Sequence, residues 1–94
     1  MISGNLKVPY IFNKKIERAY FNSVICGKKR FEIRKDDNPD HPYQVGDMIL
    51  LRAINDQGKE TGEFQLVSIT YVSDYAQKSG YKVLSIDLEQ MSRY

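Results

Sequence analysis

Apolar residues recur at helical spacing in one convincing stretch of this chain: Ile16, Ala19, Tyr20 and Val24 fall on one face, as an amphipathic helix requires. That spacing predicts a helix over about 13–26. Asn13 suits the N-cap, and Gly27 suits the C-terminal stop. Lys14, Lys15 and Arg18 lie largely off the apolar stripe, while Lys28 and Lys29 follow the negative end of the helix dipole. From residue 30 the period changes to two. Phe31 and Ile33 alternate with Arg30, Glu32 and Arg34. This reads as a half-buried strand with Phe31 and Ile33 in the core.

Shorter signals fill the remainder. Leu6-Lys7-Val8 is expected to be a short strand ended by Pro9, which cannot donate to a ladder. Residues 36–44 form a polar loop with two prolines. Gly46-Asp47 is a turn into a strand over 48–54: glycine for positive φ, aspartate for a local hydrogen bond. The turn Asn55-Asp56-Gln57-Gly58 leads to a strand over about 63–72. Residues 73–80 form a loop or helical turn, and 81–88 a last strand. Its Leu84, Ile86 and Leu88 share one face. One early helix followed by four or five strands suggests an α+β domain or a small barrel with a helix packed on it.

The 94 residues are one domain on the usual size prior. Cys26 and His41 are the only residues of their kinds, so a Cys/His zinc site is excluded and no metal or cofactor is expected. Cys26 reads as a small packing residue and His41 as a solvated loop residue. No stretch reaches the ~18 apolar residues of a membrane span, and no signal-peptide pattern opens the chain. A cytoplasmic location is expected. Net charge is +2, but residues 1–35 carry nine Lys and Arg against Glu17 and Glu32, while residues 36–94 carry five against ten Asp and Glu. Such a split suggests a basic surface for an anionic partner if the halves segregate in space. If they interleave, the fields cancel.

No Gly-rich phosphate loop, HExxH or nucleophile elbow is present. The distinctive segment is Gly27-Lys28-Lys29-Arg30-Phe31-Glu32-Ile33-Arg34. On a strand, Glu32 and Arg34 point to the same side, ~6.6 Å apart. A carboxylate, a planar guanidinium and a mobile ammonium from Lys29 together suit a ligand bearing both donors and acceptors, such as a nucleobase or nucleotide. The plainer alternative is an exposed Glu32–Arg34 pair worth about 0–1 kcal/mol. Lys28, Arg30 and Lys35 are candidate phosphate contacts. Tyr71, Tyr75 and Tyr81 are candidate base-stacking rings, with rim packing as the alternative for each.

The spacing Gly27-x-Lys29-x-x-Glu32-x-Arg34, after a helix and running into a strand, resembles the signature of ASCH domains of the PUA-like superfamily. The wider order of blocks is similar to the small bacterial and phage ASCH-like proteins: Leu6-Lys7, Tyr20-Phe21, Gly27 to Lys35, Gly46-Asp47 and Gly80 to Ile86. The resemblance spans about residues 5–88. It implies an α+β fold, a small PUA-like mixed β-barrel with one main helix packed against it, a cleft between helix and barrel with Lys29, Glu32 and Arg34 at its mouth, and RNA or a modified nucleoside as ligand. Some members hydrolyse acylated cytidines with a threonine three residues after the motif lysine. Here that position is Glu32, so the amidohydrolase nucleophile is missing.

The leading expectation is therefore a non-catalytic RNA- or nucleoside-binding module. One rival is an enzyme acting on a nucleoside or RNA, amidohydrolase- or ribonuclease-like, with Lys29 and Glu32 as acid–base pair. The other is an accessory factor whose partner is a protein.

Overall fold

A computed structural model of the protein describes residues 8–90. Its elements run β1 (Ile11–Glu17), α1 (Arg18–Ile25), β2 (Phe31–Lys35), β3 (Met48–Ile54), β4 (Glu60–Ser73) and β5 (Tyr81–Leu88). Most of the expected Leu6-Lys7-Val8 strand lies outside the described residues, and Val8 itself is in no strand.

The helix is shorter than the periodicity predicts, because its expected first half is a strand. Phe12 and Ile16 are both buried, and a spacing of four suits either period: two strand repeats, or about one helical turn. Tertiary pairing decides between them. β1 lies parallel to β3, from Ile11 opposite Met48 to Glu17 opposite Ile54. Asn13 is thus an exposed strand residue and not an N-cap. Glu17 occupies the cap position without a side-chain hydrogen bond. Within α1 the buried residues are Phe21 and Val24, and Tyr20 and Ala19 turn outward.

The five strands form one curled mixed sheet in the order β1-β3-β4-β5-β2. Its inner face carries Ile49, Leu51 and Ala53 from β3, Val67 and Ile69 from β4, and Leu84 and Ile86 from β5. Phe12, Ile16, Phe21, Val24 and Tyr43 close over them. Leu88, expected to share the face of Leu84 and Ile86, is exposed at the strand end. A register shift between Ile69 and Tyr71 interrupts the alternation of β4. Without this bulge Tyr71 would follow Val67 and Ile69 inward; with it, Tyr71 faces out and Val72 turns back toward the core.

Two turns behave differently from each other. At the β3–β4 turn, Asn55 Oδ1 accepts from the amides of Gln57 and Lys59 at 2.9 and 3.0 Å, as expected of an Asx-type turn. Gly46 has φ of +96°, as its turn requires. The partner of buried Asp47 is not local, however. Its Oδ1 accepts from the amide of Tyr10 at 3.1 Å and ties the start of β1 to the β3 turn.

Among the described residues, no helix is long and apolar enough to cross a membrane.

Candidate functional site

The two ends of the sheet, β1 and β2, share no backbone ladder. The gap between them is a cleft of about 460 Å³ bordered by Lys15, Ile16 and Glu17 of β1, Tyr20 of α1, Lys29, and Phe31 to Arg34 of β2. Its volume is within the roughly 300–1,000 Å³ typical of small-molecule sites.

The helix terminus aims the chain into this cleft. The amide of Gly27 bonds to the carbonyl of Val24 at 3.1 Å, and that of Lys28 to Ser23 at 2.9 Å. This double bond pattern is a Schellman close. It needs a left-handed residue, and Gly27 supplies one at φ +81°. The chain reverses there and enters β2 antiparallel to β5, with Glu32 opposite Leu84 and Ile33 opposite Val83.

That register inverts the expected faces of β2. Leu84 is fully buried, so Glu32 beside it points inward and is only 3% exposed. Phe31 and Ile33 are 42% and 49% exposed, and neither is a core residue. Alternation specifies that neighbours face opposite ways; it does not say which way is in.

A buried carboxylate must be paired and hydrogen-bonded, and Glu32 is. Lys29 Nζ donates to Oε2. Arg34 reaches Oε1 through Nε at 2.9 Å and Nη2 at 2.8 Å. Lys29 also donates to the carbonyl of Phe31 at 2.6 Å. Arg34 Nη2 spans the gap to the carbonyl of Lys15 at 3.0 Å, so a side chain bridges the two sheet ends where no ladder does. Nη1 meets no acceptor among the described residues. The Glu32–Arg34 pairing expected from the sequence therefore forms, but in a buried setting and with Lys29 as a third member. Two aromatic rings flank the ammonium of Lys29, Tyr20 at 5.9 Å and Phe31 at 4.7 Å from ring centroid to Nζ.

The structure thus brings Lys29, Glu32 and Arg34 together. Tyr20, the Lys15 carbonyl and the rings at the mouth are contributions that the spacing alone did not reveal. Tyr20 sits at a helical position suited equally to core, and the Lys15 carbonyl is free only because β1 is a sheet end. Lys28, Arg30 and Lys35 are exposed; Arg30 Nε donates to the Gly27 carbonyl at 3.3 Å. Tyr71 and Tyr75 are exposed and not packed at a rim, whereas Tyr81 is half-buried. Cys26 is exposed and not packed in the core. His41 is exposed but stacks on Tyr10, with ring centroids 3.8 Å apart. The charge halves interleave in part, since Arg18 pairs with Glu63 at 3.1 Å.

Tyr43 packs against Phe12 with ring centroids 4.5 Å apart. Burial above all raises its hydroxyl pKa, Arg34 opposes that, Asp36, Asp37 and Glu32 add to it, and together they push it up to about 12. The folded state therefore holds this proton more tightly than the unfolded chain. The resulting stability is complete below pH ~10 and is lost as pH rises toward about 12. The two-unit shift corresponds to roughly 2–3 kcal/mol. Urea unfolding of wild type and Tyr43→Phe at pH 9 and pH 12 checks this. The stability difference between the two proteins should move by that amount in favour of the variant at high pH, and a constant difference would refute it.

No curated protein matches the chain. A family model described as a domain of unknown function (DUF3850) matches residues 11–86, from the first residue of β1 into β5, and the chain belongs to that family.

Proposed function

We propose that this chain is a nucleoside- or RNA-binding module of the ASCH, PUA-like type, and that the ligand enters the cleft between β1, α1 and β2. The observation that carries this reading is the buried Glu32 held between Lys29 and Arg34 at an open cleft. A purely structural polar cluster has no need of a cavity beside it.

The chemistry suits a nucleotide. Glu32 fixes the two cations, so neither must be ordered when ligand arrives. Arg34 keeps Nη1 for a phosphate oxygen or base edge. Tyr20 and Phe31 offer rings at the mouth, and base stacking on such rings is worth ~1–3 kcal/mol. Lys28, Arg30 and Lys35 supply exposed charge around it. The carboxylate of Glu32 acts as a positioning group in this scheme, with both oxygens committed to cations.

Titration of uridine monophosphate and of a short fluorescent RNA at two salt concentrations tests the proposal. Arg34→Lys keeps the charge but loses the planar fork; Tyr20→Ala removes an exposed ring. Each should weaken nucleotide binding by about tenfold, in line with ~1–2 kcal/mol per contact, while circular dichroism is unchanged. Lys28→Gln should lower the salt dependence of RNA binding by about one unit of slope. Unchanged affinity in both cleft variants would place the site elsewhere. Turnover of the nucleotide by wild type, lost in Glu32→Gln, would replace the binding role by an acid–base one.

A further inference from the structure

The bulge in β4 and the inverted face of β2 have a joint effect on the outer side of the sheet. Strand register places Phe31, Ser85 and Tyr71 in one row across β2, β5 and β4. Ile33, Val83 and Ser73 form the next row, and Lys35 lies opposite Tyr81 in a third. Rows are ~6.6–6.8 Å apart along a strand, and strands ~4.8 Å apart. Phe31 and Tyr71 thus stand about 10 Å apart across the short side chain of Ser85, which leaves room for a flat group between them. Tyr71 is 63% exposed.

Lysines border these three rows. Lys29 Nζ lies 4.7 Å from the Phe31 ring and Lys78 Nζ 6.0 Å from the Tyr81 ring, with Lys35 exposed beside them. The three rows contain no carboxylate. Of the nearby acids, exposed Asp87 lies two residues beyond Ser85 on β5, opposite Ser68, Asp74 pairs with Lys82, and Asp36 Oδ1 accepts from the Tyr43 amide. A second copy docked face to face would bring two lysine-bordered faces together, which like charge opposes. A polyanion with flat apolar groups has the opposite fit.

We infer that the outer face of β2, β5 and β4 is a stacking platform for single-stranded nucleic acid, continuous with the cleft through Phe31 and Ile33, which border both. Bases lie against Tyr71, Phe31 and Tyr81, and Lys35 and Lys78 meet the backbone. The inference rests on the cleft reading for its class of ligand and goes beyond it in extent: the protein holds several consecutive nucleotides, not one.

The test compares a fluorescein-labelled oligouridylate decamer with uridine monophosphate. Wild type should bind the decamer at least about tenfold more tightly than the mononucleotide. Tyr71→Leu and Tyr81→Leu should each weaken decamer binding roughly 5- to 150-fold and leave mononucleotide binding unchanged, with Tyr81→Phe restoring it. Lys78→Gln should reduce the salt slope for the decamer by about one. A decamer bound no more tightly than the mononucleotide, or bound equally by wild type and both leucine variants, overturns the platform. So does a dimer in sedimentation that Tyr71→Leu dissociates, since the face is then a contact between copies. Decamer binding that depends on Tyr71 and Tyr81, with no mononucleotide binding and no effect of Arg34→Lys, upholds the platform while removing the cleft reading.

Discussion

Replacing Glu32 with alanine is expected to lower the stability of the fold by about 3–5 kcal/mol, the cost of leaving buried charge without its partner. Lys29 and Arg34 are the stranded groups, with side chains 17% and 23% exposed against 4% for Glu32. Lys29 can partly escape by swinging into the cleft. Arg34 is also tied to the Lys15 carbonyl and has less freedom. Urea unfolding supplies the number. A loss under about 1 kcal/mol would mean that the triplet behaves as an exposed surface pair. The triple replacement Lys29→Met, Glu32→Leu and Arg34→Met should recover most of the loss, because apolar side chains of similar size carry no desolvation penalty. It should also abolish nucleotide binding. Recovery of stability without recovery of binding would separate the two roles of the triplet, which structural arguments alone would merge.

The second large effect concerns which face of β2 is buried. Leu84→Ala should cost about 2–5 kcal/mol, from lost transfer energy and the cavity left behind, because Leu84 is fully buried at the centre of the inner face. Ile33→Thr, one register position along on the neighbouring strand, should cost no more than about 1 kcal/mol, since half of that side chain is already in solvent. The expectation from alternation alone, with Phe31 and Ile33 in the core, requires Ile33→Thr to be costly too. Paired unfolding curves distinguish the two orientations. A comparable loss in both variants would reverse the assignment of the strand's faces.

Much of the architecture was legible in the chain. The spans of β3 and β5 follow from runs of apolar residues bounded by turn residues. The stop at Gly27 follows from the need for a left-handed residue there, and the Asn55–Gly58 turn from side-chain chemistry of the same local kind. The grouping of Lys29, Glu32 and Arg34 was legible as well, because strand period two places Glu32 and Arg34 on one side and the helix end delivers Lys29 beside them. Each of these is a short-range constraint, contained within a few residues.

What eluded the sequence depended on partners distant along the chain. Phe12 and Ile16 satisfied both helix and strand periods, and only pairing with β3, over thirty residues away, made residues 11–17 a strand. Asp47 found its partner at Tyr10 rather than in its own turn. Tyr71 was turned outward by a bulge that exists only in the match of β4 to β5. By itself the sequence determined an α+β fold, its later strands and an ionic triplet at the start of β2. The tertiary structure alone decided that this triplet is buried and borders a cleft, because β2 is a sheet end. There the register against Leu84 sets the inward face, and among the described residues no further strand covers what lies beside it.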